Sequence, residues 1–88
     1  MFEFDADKSA ANNAKHGIDF GTAQALWQDD RRVEFDTGYL LEQRTLVVGK
    51  IDGKHWTAVV TERGSLTRII SVRRSRDVEV EGYEHQND

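Results

Sequence analysis

"TLVVGKIDGKHWTAVVTERGSLTRIISVRR", residues 45–74, decides the fold. At its centre Asp52-Gly53 is the strongest local signal in the chain, a two-residue hairpin turn that needs positive φ at both central positions. Thr45 to Ile51 leads into the turn as a strand, with Leu46 and Val48 on one face and Val47 on the other. Trp56 to Thr61 returns as its partner, Arg63-Gly64-Ser65 turns again, and Leu66 to Val72 follows as the next strand. Ile69 and Ile70 are both bulky and β-branched, so both faces of that strand are covered and it belongs inside the sheet. Strict alternation puts Arg68, Ile70, Val72 and Arg74 on one side, and Thr67, Ile69, Ser71 and Arg73 on the other.

Working outward, Arg32-Val33-Glu34-Phe35 reads as one more strand, and Asp36-Thr37-Gly38 as a turn or loop. Near the start, Phe2 and Phe4 alternate around Glu3 as a short strand. Asp5 then caps a helix that ends at Lys15-His16, where Gly17 supplies the left-handed C-terminal cap. Asn12 and Asn13 are poor helix formers in its middle, either tolerated or placed there for hydrogen bonds. A second helix starts after Asp19, its apolar face marked by Phe20, Ala23, Leu26 and Trp27. Gly21 weakens it by about 1 kcal/mol. At the far end, Ser75 is a candidate cap for a short helix toward Tyr83, weakened by Val78, Val80 and Gly82. The expected fold class is α+β: two N-terminal helices packed on a twisted antiparallel sheet of about four strands, then a short C-terminal helix. A chain of 88 residues predicts a single domain over 1–88.

Composition narrows the function. There are no cysteines and only three scattered histidines, so no disulfide, metal site or cofactor is expected. No apolar run approaches the roughly 18 residues of a membrane span, and the first residues do not read as a signal peptide, which predicts a soluble cytoplasmic protein. The net charge of −4 hides a partition: residues 1–43 carry 4 basic and 9 acidic groups (−5), residues 44–76 carry 8 and 2 (+6), and residues 77–88 carry 5 acidic and none basic (−5). A positive centre between negative ends points to one localised anion-binding surface.

Arg63, Arg68, Arg73, Arg74 and Arg76 supply most of that charge. The simplest account of any one of them is a surface pair with Asp77, Glu79, Glu81, Glu62 or Glu42; as a cluster they can line a groove that tracks several phosphates. Lys15 and His16 suit the end of a helix dipole without any function, or serve acid–base chemistry. Glu62-Arg63 reads as a turn ion pair, or as a base with its transition-state cation. Trp27 and Trp56 suit the core better than base stacking.

Two blocks together resemble a known family. "FEFDADKSAANNAKHGIDF" at residues 2–20 is similar to the opening of BrnT-type toxins, a Phe-x-Trp/Phe-Asp strand and helix closed by Lys-His-Gly, a hydrophobic residue and a Phe. "TERGSLTRIISVRR" at residues 61–74 resembles their Thr/Ser-Glu-Arg-Gly and Ile-Arg-Ile-Ile-Ser-Ala-Arg-Arg stretch, and Arg44, Gly49 and Tyr83 match as well. The resemblance implies a fold like the RelE and ParE toxins and a metal-independent endoribonuclease that inhibits translation. It also implies a BrnA-like ribbon-helix-helix antitoxin, and operator DNA reached only through that partner. Carried over by position, it makes Arg63, Arg68 and Arg73 phosphate clamps, Glu62 or His16 the base and Tyr83 or Lys15 the acid. Lys15, Arg44 and Arg74, which match the family, and the neighbouring Arg76 are the residues expected to hold RNA. One departure stands out: Asp77, Val80 and Glu81 occupy positions that are usually basic in the family. Acids there oppose a polyanion, and fit the alternative of a non-catalytic module that binds the antitoxin and acts as co-repressor.

Overall fold

The structure, a computed structural model, describes residues 1–37 and 43–87. Gly38 of the expected turn, and Glu42, lie outside the described residues. In chain order the elements are β1 (Phe2–Glu3), α1 (Ala6–His16), α2 (Phe20–Ala23) running into a 3₁₀ turn (Gln24–Gln28), β2 (Val33–Asp36), β3 (Thr45–Ile51), β4 (Lys54–Arg63), β5 (Leu66–Arg74) and α3 (Asp77–Gln86).

The Asp52-Gly53 turn forms as its chemistry requires, with φ of 51° and 79°. It joins β3 and β4 in a register that pairs Ile51 with Lys54 and Thr45 with Val60. Gly64 turns the chain into β5 with φ of 60°. The sheet order is β1-β5-β4-β3-β2, so β5 is an inner strand, as its two isoleucines require. The expectation of about four antiparallel strands needs correction: the sheet has five and is mixed, because β1 lies parallel to β5, Phe2 beside Thr67 and Glu3 beside Arg68. Two residues are too short a strand to announce their partner by periodicity.

Alternation along β5 is also broken. Val59 pairs with Ser71 but Val60 pairs with Ile69, so Ile70 is the extra residue of a β-bulge. Ile69 and Val72 therefore both face the core, with Ala58, Val60 and Val47. Arg68 consequently shares a face with Ser71 and Arg73, not with Val72 and Arg74 as strict alternation predicts.

Ile18, Phe20, Ala23 and Leu26 cover the core face, with Trp27 and Trp56 packed against its margin. Asp5 and Gly17 cap α1 as expected, the Asp5 carboxylate accepting the N–H groups of Asp7 and Lys8. Asn12 is buried, and its amide donates to the carbonyls of Ile18 (2.8 Å) and Val72 (2.9 Å) while accepting the Val72 N–H at 3.1 Å. It continues the hydrogen-bonding edge of β5 where β1 has run out. In place of a full second helix there is a four-residue α2 that tightens into the 3₁₀ turn. Gly21 leaves so short a helix little propensity of its own.

The C-terminal helix is longer than expected, ten residues, and covers the other face of the sheet. Its cap position is Arg76 rather than Ser75. The Ser75 hydroxyl is engaged instead with Thr57 Oγ1 at 2.8 Å. Glu79 and Tyr83, one turn apart, are the buried residues that hold α3 down.

Candidate functional site

Register and pleat build the site on the α3 side of the sheet. Phe35, Leu46, Val59 and Ser71 form one cross-strand row on that face, and Val33, Val48, Thr57 and Arg73 form the next. Over the middle of the first row lies a hollow of about 300 Å³. Leu46, Val59 and Ser71 make its floor, and Arg44, Arg73, Arg76, Thr37 and Glu79 its walls. Three of the arginines singled out in the sequence thus converge on one open space. Arg68 stands on the same face, roughly 15 Å down β5 from Arg73, and its Nη1 lies 3.6 Å from the Glu3 carboxylate.

Glu79 organises the wall. Its side chain is 8 % exposed, and its two oxygens accept from Arg73 Nη1 and Nη2, each at 2.8 Å. Thr57 Oγ1 (2.9 Å) and the Arg76 backbone N–H (2.8 Å) donate to the same carboxylate. Burial works against its charge, but the fork of Arg73 and the Arg76 and Thr57 donors outweigh it and hold the carboxyl down at about 2. The same contact raises the Arg73 guanidinium above its ordinary value, against the cost of burial. Nothing in the alternation of the sequence announces this pair. From sequence Glu79 reads as one of several pairing acids, and Thr57 as an ordinary strand residue.

The other candidates lie elsewhere. Arg74 points to the core face, its guanidinium carbon 5.4 Å from the centre of the Trp56 ring and its Nε donating to the His55 carbonyl. Arg63 is exposed at the β4–β5 turn. Glu62 accepts from Thr67 Oγ1 and lines a separate hollow of about 430 Å³ with Gln43, Thr45 and Thr61. Lys15 and His16 end α1, which packs on β5 from the Ile18 and Phe20 side, and neither lines the arginine hollow.

Tyr83 sits toward the other end of α3, away from the hollow. Its hydroxyl donates to Asp29 Oδ2 at 2.7 Å, and its ring meets His55 edge-on. Burial, the Asp29 bond and the nearby Asp29 and Glu84 charges push it up to about 12. The Asp29 carboxyl is held below its usual range: burial raises it, but the Lys50 N–H and the Tyr83 hydroxyl more than offset that. Glu84 is likewise lowered, chiefly by His55, whose Nε2 lies 3.2 Å away.

A protein-family pattern covers most of these elements. Described as "Ribonuclease toxin, BrnT, of type II toxin-antitoxin system", it matches residues 4–79, from the end of β1 to Glu79 itself. The chain belongs to this family. BrnT proteins are thereby placed as ribonuclease toxins, and membership implies an antitoxin partner for this chain. No curated protein matches the chain. No helix among the described residues is long and apolar enough to cross a membrane. The match stops where the acidic remainder of α3 begins, so Tyr83 lies beyond it.

Proposed function

We propose that this BrnT protein is an endoribonuclease whose phosphate site is the hollow over Leu46, Val59 and Ser71. The observation that carries the reading is the convergence of Arg44, Arg73 and Arg76 on that one space, with Arg68 on the same face of β5. In such a site the 2′-oxygen of a ribose attacks the adjacent phosphorus. The bond to the 5′ oxygen breaks, leaving a 2′,3′-cyclic phosphate and a 5′-hydroxyl. Guanidinium groups bind the non-bridging oxygens and stabilise the charge that grows on them, an effect of about 3–4 kcal/mol for a well-placed donor.

Among the described residues of the hollow Glu79 is the one acid or base, so proton transfer falls to solvent in this reading. Glu79 has its oxygens engaged by four donors, and His16, Glu62, Lys15 and Tyr83 do not line the hollow. Among the described residues no group of three or more His, Cys, Asp and Glu side chains is placed to hold a metal ion. Single-stranded RNA is the substrate class the aliphatic floor favours, since an unstacked base can rest on Leu46 and Val59 while its phosphate meets the arginines. The reading extends to kinship with RelE-type toxins, to inhibition of translation in the cytoplasm and to neutralisation by a BrnA-like antitoxin.

The test is purified protein with end-labelled RNA in EDTA. The expected products carry 2′,3′-cyclic phosphate ends, and the rate rises with pH without a bell. Arg44→Ala and Arg76→Ala, both on the rim, are each expected to lower kcat/KM by about 10²-fold or more. Wild-type rates in both variants would remove the hollow from the mechanism.

One observation favours a second reading, a non-catalytic module acting with a ribbon-helix-helix antitoxin as co-repressor: Glu79 already neutralises Arg73, and among the described residues no other acid or base lines the hollow. Induction in cells separates the two, since a ribonuclease arrests growth and a pure binding module does not.

A further inference from the structure

We infer that Glu79 is a positioning residue of the phosphate site, fixing the plane of the Arg73 guanidinium so that its remaining donors are aimed before RNA arrives. The inference rests on the ribonuclease reading above and concerns a residue that touches no substrate. A guanidinium has five N–H donors in a rigid fork. In Arg73, Nη1 gives one to Glu79 and one to the Arg74 carbonyl, and Nη2 gives one to Glu79. Two donors remain, one on Nη2 and the one on Nε. A two-point contact leaves the fork no freedom to rotate, so these two keep a set direction.

The carboxylate is fixed in turn. Thr57, on the neighbouring strand, donates to it from the sheet, and the Arg76 N–H donates from the start of α3. That second bond also sets the backbone from which the Arg76 side chain leaves for the hollow. One buried acid therefore orients two of the three arginines that line the site. An acid held by four donors is an anchor, not a plug that a passing phosphate displaces. The acidic character of α3 thus has two parts: Glu79 faces inward and builds the site, while Asp77 and Glu81 are exposed.

Glu79→Gln tests this, with Glu81→Gln as control because it makes the same acid-to-amide change at an exposed position of α3. In Glu79→Gln, kcat is expected to fall about 10²-fold with KM changed by no more than about threefold, the mark of a displaced group. Glu81→Gln is expected to leave kcat within about threefold of wild type. Guanidinium NMR gives an independent reading: hindered rotation about the Arg73 C–N bonds in the wild type, averaged in Glu79→Gln. If Glu79→Gln does not fold, Arg73→Lys, which keeps the charge without the fork, is expected to show the same loss of kcat. Unchanged kcat in the variant used, an equal loss in Glu81→Gln, or Arg73 signals already averaged in the wild type would each overturn the positioning role. Should the wild type fail to cleave RNA, the ribonuclease reading falls separately, and the NMR comparison still decides what Glu79 does to Arg73.

Discussion

At the scale of single residues, the buried polar groups carry more of the structure than their number suggests. Glu79 has its carboxyl lowered from the usual 4.5 to about 2, so its contribution to stability is fully present above 4.5 and is lost as pH falls toward 2. The gap corresponds to about 3 kcal/mol, an upper figure because Arg73 keeps some contact with water. Urea titrations between pH 5 and pH 2 should show that loss in the wild type, while Glu79→Gln, less stable at neutral pH, should lack this part of the decline. Parallel curves would mean that Glu79 is not the titrating anchor. Asn12 shows what a sequence reveals at this scale. A mid-helix asparagine stands out as a poor helix former, so a special role is legible. Its partner Val72 is not, because the two are sixty positions apart and only the finished sheet brings them together.

Elements were legible where a backbone conformation demands a residue type. Gly17 after α1, and Asp52 and Gly53 between β3 and β4, all have the positive φ their positions call for. The bulge at Ile70 carries no such mark, since an extra β-branched residue is at home in any strand. That one residue decides whether Arg68 shares the sheet face that carries the hollow, so the site was legible as a set of arginines but not as a face. Glycines that pack between elements separate in the same physical way. A Cβ on Gly49 would lie 3.1 Å from Leu26 and 3.3 Å from the Asp29 carboxylate. Leu26 is fully buried and Asp29 is bonded to Lys50 and Tyr83, so neither can give way. Gly49→Ala is expected to cost about 1–3 kcal/mol through overpacking. On Gly82 the Cβ would meet only the tip of the Phe35 ring at 3.1 Å, and Phe35 is 37 % exposed on an edge strand, free to swing outward. Gly82→Ala should therefore keep most of its helix-propensity gain, about 1 kcal/mol, and raise Tm. Thermal melts of the two variants should move in opposite directions; movement in the same direction would contradict this account of the two interfaces.

Across the whole molecule, charge is arranged rather than merely counted. The partition into −5, +6 and −5 was plain in the sequence, but its sense depends on the fold, which brings Arg44, Arg73 and Arg76 to one hollow, keeps Arg68 on the same face of the sheet and lays α3 beside them. Asp77 and Glu81 are exposed on that helix, near the rim that Arg76 and Glu79 form. Exposed charges act on a polyanion through solvent, over about 10 Å at 0.1 M salt and much less at 1 M. Replacing both by Asn and Gln changes the net charge from −4 to −2 and should tighten binding of a non-cleavable 2′-O-methyl RNA about threefold at about 50 mM salt. The gain should vanish at about 0.5 M salt, where screening leaves only direct contacts. Glu79→Gln, although it also removes a negative charge, should give no such gain, because the inward acid holds a cation in place while the outward ones repel the ligand. Tightening that persisted at high salt would mean that Asp77 or Glu81 touches the RNA; equal tightening by Glu79→Gln would mean that the three acids form one undivided screen over the arginines.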